Sequence, residues 1–385
     1  PQMCLRFLDI ANVGVTGRHY TSFCMIGQHA LANPKGYWKD RCVELDYNLL
    51  TREFGIKKEQ VVFKEDVWLG PGAFGNSLEY YVGGLELGNA VFTGFEGTPQ
   101  SYKEYPEKVV DMGAGLERFV WVSQGTFNSY DAVFSSVLEK FRKKTGISPT
   151  DSSLDSYFKR AGSLDIDQFK GESADYTVIA RELGVPEEEM RGKIERMQAV
   201  YSILDHTRTL LFGISDGMLP GNVGGGYNLR VILRRALDFI DGLGIQIELD
   251  ELTSWHAESL KGLYPELLEH EQDVGMILSV EKMKYSNTKE RASKIIESVA
   301  KKKQSINTER LVELYDSDGI TPDVLKKAGM KIEVPPDFYG RITSRHMVQK
   351  EEGGIAASVL DVSSIPPTNL IFYENRDQFE FQANV

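Results

Sequence analysis

The sequence predicts an α+β protein, with strand-like runs concentrated before residue 111 and helical periodicity after it. Three observations carry this. Segments 77–82 and 85–95 read as two strands, made antiparallel by the Gly83-Gly84 turn between them. Segment 109–134, VVDMGAGLERFVWVSQGTFNSYDAVF, begins as an apolar strand, passes Gly113-Ala114-Gly115 and turns helical, with Leu116, Phe119, Val120 and Val122 on one face. Residues 201–216 and 228–240 have helical spacing, and 249–299 is helical throughout.

The remaining elements follow in order. A strand at 3–7, a loop at 9–17 holding two glycines and a strand at 20–25 form a hairpin, with Arg6 near its start and Arg18-His19 after the loop. Residues 37–54 repeat apolar side chains at helical intervals (Trp38, Val43, Leu45, Leu49, Leu50, Phe54) and stop at Gly55. A short strand at 61–63 leads into a Gly- and Pro-rich loop at 68–75. A helix over 131–144 precedes a loop-bearing insertion at 146–171. Leu219-Pro220 breaks the amphipathic helix 201–216, and a glycine-rich loop spans 222–227. The lysine-rich run 282–303 alternates in sign and reads as a solvated helix face. Alternating Leu370, Phe372, Phe379 and Phe381 open a β-rich module.

Composition narrows the function classes. The chain has 385 residues, 41% hydrophobic and 26% charged, which suits a soluble globular protein of two or three domains. No apolar run approaches the roughly 18 residues of a membrane span, and no secretory signal is seen, so a cytoplasmic location is expected. Cys4, Cys24 and Cys42 lack C-x-x-C spacing and the six histidines are scattered, so neither a disulfide framework nor a zinc site is expected. With a net charge of −12, any RNA contact needs a local basic patch. The chain opens on Pro1 and ends within a strand-like run at Val385, which reads as an excerpt of a longer protein.

The chemistry concentrates around residue 111. Glycines at a strand-to-helix turn let a ligand approach the backbone, because no Cβ stands in the way. Arg118 offers a planar fork of donors for phosphate oxygens. Asp111 offers a carboxylate for an ammonium group, and a site holding both would suit an amino acid beside a nucleotide. By spacing alone this is a lone G-x-G without the third glycine of a dinucleotide fingerprint, and an ordinary strand-to-helix connection explains it. Farther on, Arg230, Arg234 and Arg235 are expected on one helix face, a plausible contact for a phosphate backbone.

Residues 111–118 with Gln124-Gly125 and Asn128-Ser129-Tyr130-Asp131 resemble motif 3 of class II aminoacyl-tRNA synthetases, in particular the alanyl branch, and 146–171 with 174–197 resemble its archaeal form. Met112 and Ala114 depart from that branch, which has Thr and Met there. The hairpin with Arg6 and Arg18 resembles motif 2, with Cys24 where the family usually has Glu. Two further stretches match, at 201–240 and 311–325, so the resemblance covers essentially the whole chain.

The resemblance implies a class II antiparallel sheet flanked by helices, then a mostly helical tRNA-recognition domain and the start of a β-rich module. The expected boundaries are 1–145 for aminoacylation, 146–200 for an insertion, 201–345 for tRNA recognition and 346–385 for the linker and β-module. It implies ATP-dependent activation of alanine and transfer to the 3′ end of its tRNA. Arg6, Arg18 and Arg118 would be catalytic, binding ATP together with His19 and Glu79. Asn89, Asp111, Gly113 and Gly115 would hold alanine, since a carboxamide oxygen and a carboxylate both accept from an ammonium. Asn222 and Asp316 would read the G3·U70 pair of the acceptor stem, with Arg230, Arg234 and Arg235 beside them. ATP and Mg²⁺ are the implied cofactors, zinc belonging only to an editing domain that this chain lacks; a homodimer would form through a C-terminal region not in the chain. Motif 1 would lie upstream of Pro1. A non-catalytic relative that binds tRNA or an amino acid is the alternative. A dinucleotide-binding fold fails for want of a G-x-G-x-x-G.

Overall fold

A computed structural model describes residues 1–150, 154–161, 180–181, 184–301 and 306–318, and scattered positions from 320 to 342. The expected β-module at 346–385 lies outside the described residues. The described residues pack as two units: Pro1–Met3 with Phe23–Gly125, and Cys4–Ser22 with the described residues from Thr126 on.

The first unit is built on a six-stranded sheet in the order β1-β2-β6-β5-β4-β3. Its strands are β1 (Gln2–Leu5), β2 (Ser22–Leu31), β3 (Val61–Gly70), β4 (Ala73–Val82), β5 (Leu85–Thr98) and β6 (Ser101–Gly115). The four described pairings, from β2–β6 through β3–β4, are antiparallel. Gly83 and Gly84 make the expected turn, both at positive φ (58° and 81°), which suits the twist of an antiparallel hairpin.

Two loops foreseen from glycine and proline content are absent. The segment 68–75 is a tight hairpin in which Gly70 pairs with Ala73, so β3 and β4 run on almost to its tip. Gly113-Ala114-Gly115 is strand, not turn: β6 continues to Gly115 and passes directly into helix α2 (Leu116–Gln124). The cause is close packing. Gly113 pairs with Gly27 of β2. A Cβ on Gly27 would fall 2.4 Å from the Met112 carbonyl oxygen, and one on Gly113 would fall 3.1 Å from Met25 Sδ.

One sheet face carries the core of this unit. Ala90, Phe92, Val110, Met112 and Ala114 pack there with Cys42, Leu50 and Phe119. Cys42 belongs to helix α1 (Lys39–Asn48), and Leu50 to the wider π-helical turn Leu49–Glu53 that prolongs it.

In the second unit, α3 (Ser129–Val133) and α4 (Ser135–Thr145) occupy the stretch foreseen as one helix, and α5 (Asp155–Ala161) follows. Helix α6 (Glu187–Ser215) starts well before the expected residue 201. It is not amphipathic there: every residue from Ala199 to Ile214 is buried, including Asp205, His206, Thr207, Arg208 and Thr209. A helix enclosed on all sides is a core helix, and its polar groups need partners inside the protein. Helix α7 (Gly224–Leu243) begins within the glycines that were read as loop. The continuous helix foreseen over 249–299 is three: α8 (Leu249–Leu260), α9 (Glu266–Glu269) and α10 (Glu271–Lys301). Helix α11 (Thr308–Asp318) completes the described elements.

Candidate functional site

Strand alternation sorts the polar residues of the first unit onto the sheet face opposite its core. In register across β4, β5, β6 and β2, Glu79 pairs with Asn89, Asn89 with Gly113 and Gly113 with Gly27; two residues along, Asp111 pairs with Val91 and with His29. The sheet thus brings together Glu79, Asn89, Asp111 and Gly113, with Gly115 farther along the same strand. Asn89 Oδ1 is buried and accepts no hydrogen bond among the described residues. An orphaned carboxamide oxygen costs about 1–3 kcal/mol, so the position calls for a donor from outside the chain. Asp111 is half-exposed, and one of its oxygens lies 3.0 Å from His29 Nδ1. An amine placed between Asn89 and Asp111 would meet two acceptors over a strand floor that has no Cβ at Gly27 and Gly113.

Glu79 is engaged differently, accepting from Lys64 Nζ at 3.0 Å and from the Tyr81 hydroxyl at 2.6 Å. Arg118, in the first turn of α2, donates through Nη1 to the Glu86 carbonyl oxygen at 2.7 Å and to Glu86 Oε2 at 3.0 Å. His29 and Glu86 escaped the sequence reading, because only strand register and hairpin geometry bring them beside Asp111 and Arg118. Among the described residues no three His, Cys, Asp or Glu side chains converge into a metal cage.

The three residues that differ from what the motif resemblance implies lie in the core. Met112 and Ala114 face the buried side of the sheet, and Cys24 is buried as well. The Cys24 backbone N–H donates to both carboxylate oxygens of Glu117, at 3.0 and 3.1 Å. None of the three substitutions alters the polar face.

In the second unit, Arg6 pairs with Asp9 at 2.5 Å and its guanidinium is largely exposed. The loop between Arg6 and Arg18 is not a free arm: Ile10, Val13, Val15 and Thr16 are buried. Ser202 Oγ donates to the Val13 carbonyl and the Tyr157 hydroxyl to that of Val15. His19 Nδ1 lies 2.6 Å from Thr16 Oγ1, and its carbonyl accepts from the Tyr130 hydroxyl at 2.6 Å. Arg18 and His19 are half-buried.

Also in the second unit, a groove of about 320 Å³ is lined by Asn222, Arg230, Arg234, Glu281, Lys284 and Tyr285. It joins the start of α7 to the middle of α10. Arg235 is not part of it. One residue turns the helix by about 100°, and Arg235 is buried with its guanidinium 4.8 Å from the Phe239 ring centre. The shared arginine face is thus Arg230 and Arg234 alone. Glu281 is a buried carboxylate at 6% exposure. Burial opposes its charge, but bonds from Lys284 and Arg230 outweigh that and hold the carboxyl below its ordinary range. Asp316 lies in α11, and its side chain is outside the described residues.

Comparison with known proteins accords with this arrangement. The family described as "tRNA synthetases class II (A)" matches residues 1–385. An alanine–tRNA ligase of Cenarchaeum symbiosum is 45% identical over 390 residues, covering 100% of this chain and 42% of that protein. Those of Nitrosopumilus maritimus and Methanocella arvoryzae are 44% and 40% identical, again over the whole chain and over 43% and 44% of their own lengths. The chain therefore spans less than half the length of these curated relatives. With a match from end to end and an antiparallel sheet to carry it, the chain belongs to the class II tRNA synthetases.

Proposed function

We propose that this chain is the aminoacylation and tRNA-recognition portion of an alanine–tRNA ligase of archaeal type. The observation that carries the reading is the orphaned Asn89 oxygen on the same sheet face as Asp111. Together they receive the ammonium of alanine, and Gly113 between them leaves room for the amine but fills the pocket with no side chain of its own. The alanine carboxylate then attacks the α-phosphorus of ATP, pyrophosphate leaves, and the tRNA 3′-terminal ribose hydroxyl displaces AMP from the carbonyl carbon. No enzyme nucleophile takes part, so the protein contributes positioning and charge.

Arg118, Arg6 and Arg18 neutralise the phosphates, with His19 and Glu79 on the nucleotide. Arg118 pairs with Glu86 at 3.0 Å. Mg²⁺ supplies charge neutralisation when it accompanies ATP. Asn222 and Asp316 read the G3·U70 pair of the acceptor stem, with Arg234 on the RNA backbone.

Asp111→Asn tests the amine site. The variant retains shape and one acceptor but loses the countercharge of the ammonium, so alanine-dependent ATP–pyrophosphate exchange falls at least a hundredfold, an electrostatic loss of about 3 kcal/mol. ATP binding, followed by calorimetry, stays within about twofold. Exchange at the parent rate would remove Asp111 from amine recognition.

A further inference from the structure

Arg230 has been counted among the residues that contact RNA, but its guanidinium is already committed within the chain. Nε donates to Glu281 Oε2 at 3.0 Å. Nη2 donates to Glu281 Oε1 at 3.3 Å and to the Pro220 carbonyl at 3.2 Å, while Nη1 donates to Asn222 Oδ1. Four of its five N–H groups are thereby used. Its side chain is 15% exposed, against 7% for that of Glu281. A residue so placed is a bracket and not a reaching arm.

We infer that Glu281 is a positioning residue for RNA recognition: it clamps Arg230 by a two-pronged contact, and Arg230 in turn fixes the Asn222 carboxamide. This rests on the reading of Asn222 as a base-pair reader. The chemistry follows from the donor's identity. A guanidinium cannot accept, so the carboxamide must turn its oxygen to Arg230, and the Nδ2 donors are left for the ligand. Asn222 is exposed at the rim of the groove, and thus presents a donor of fixed direction to an acceptor on a base edge. Without Glu281 the guanidinium swings, the carboxamide rotates freely, and an acceptor is read no better than a donor. Glu281 lies 51 residues from Arg230, on a different helix, so α10 contributes to recognition without itself touching the base pair.

The sign of the effect separates this from plain electrostatics. Removing a negative charge beside an RNA groove ordinarily strengthens RNA binding. Positioning predicts a loss instead, and a loss of discrimination in particular. The test uses alanylation kcat/KM on two acceptor-stem hairpins that differ only in carrying G3·U70 or G3·C70. Asn222→Ala sets the scale by collapsing the preference. Glu281→Gln lowers the preference roughly three- to tenfold, the range expected from one misdirected hydrogen bond. Arg230→Lys, which keeps the charge but cannot bridge Glu281 and Asn222 at once, lowers it similarly, and serves if Glu281→Gln fails to fold. In the Asn222→Ala background neither change lowers it further. Equal losses on both hairpins, or tighter binding of both with the preference intact, would overturn the positioning role. If Asn222→Ala itself leaves the preference unchanged, the reading of Asn222 fails and takes this inference with it.

Discussion

Asp46 illustrates the residue scale. Its carboxyl is buried on α1, accepting from Gln28 Nε2 at 2.6 Å, with Cys42 Sγ 3.7 Å away. Burial pushes its pKa up to about 7, against a smaller opposing pull from the Cys42 and Gln28 hydrogen bonds. A carboxyl whose folded pKa lies above its unfolded value contributes stability that is complete below about pH 4 and is lost as pH rises through 7. Between pH 6 and 8 this group alone withdraws about 1 kcal/mol. Asp46→Asn, which cannot ionise, should abolish that slope in urea unfolding at pH 6, 7 and 8; identical slopes in the two proteins would show that Asp46 stays ionised throughout. The buried His206 and His256, whose pKa values are lowered chiefly by burial, act in the opposite sense, adding stability as pH rises through about 6.5, and do so in both proteins alike, so the difference between the two slopes isolates Asp46. Asp111 and Arg118 stand out in the sequence by residue type and by the motif around them. Their partners do not. His29, Glu86 and Glu281 acquire meaning only from strand register and helix packing, which residue type does not encode.

At the scale of elements, α6 is the support of the second unit. Asp205 accepts from the Thr21 backbone N–H through both oxygens, at 3.0 and 3.1 Å, and from the Thr21 hydroxyl at 2.5 Å. Arg208 donates to the Ser22 carbonyl and lies 5.1 Å from the Tyr20 ring centre and 4.9 Å from that of Phe134. The helix thereby fixes the residues that directly follow Arg18 and His19. Asp205→Ala strands the buried Thr21 N–H and leaves the Thr21 hydroxyl only Thr209, and should cost about 3 kcal/mol in denaturant unfolding, whereas Asp205→Asn, which keeps an acceptor, should cost about half. Losses below about 0.5 kcal/mol would mean that the latch is not needed. Element types were largely visible in the sequence: the Gly83-Gly84 hairpin, α2 and α7 all lie where turn and periodicity signals put them. The errors share a cause. Glycine signals a turn locally, whereas Gly113 here lies within a strand and lets β2 and β6 pack closely. Over 199–214 α6 is buried on every side, whereas its internal DHTRT run, polar in composition, suggests an amphipathic helix. Only tertiary partners explain such a run.

At the scale of the whole molecule, a net charge of −12 coexists with a groove that gathers Arg230, Arg234 and Lys284. Such a chain gains no general affinity for nucleic acid from its overall charge, so the proposed RNA contact rests on local geometry. The second described unit supplies that groove, and the first supplies a polar sheet face with an unsatisfied acceptor. Among the described residues no helix is long and apolar enough to cross a membrane. Family membership was legible because matching motifs occur in family order along all 385 residues. The central claim is that the sheet face activates alanine. Its most direct test is ATP–pyrophosphate exchange by the protein with alanine, glycine and serine at equal concentration. The account predicts exchange strongest with alanine. Absence of exchange with all three in a folded sample would contradict it and leave a non-catalytic binder of tRNA or an amino acid.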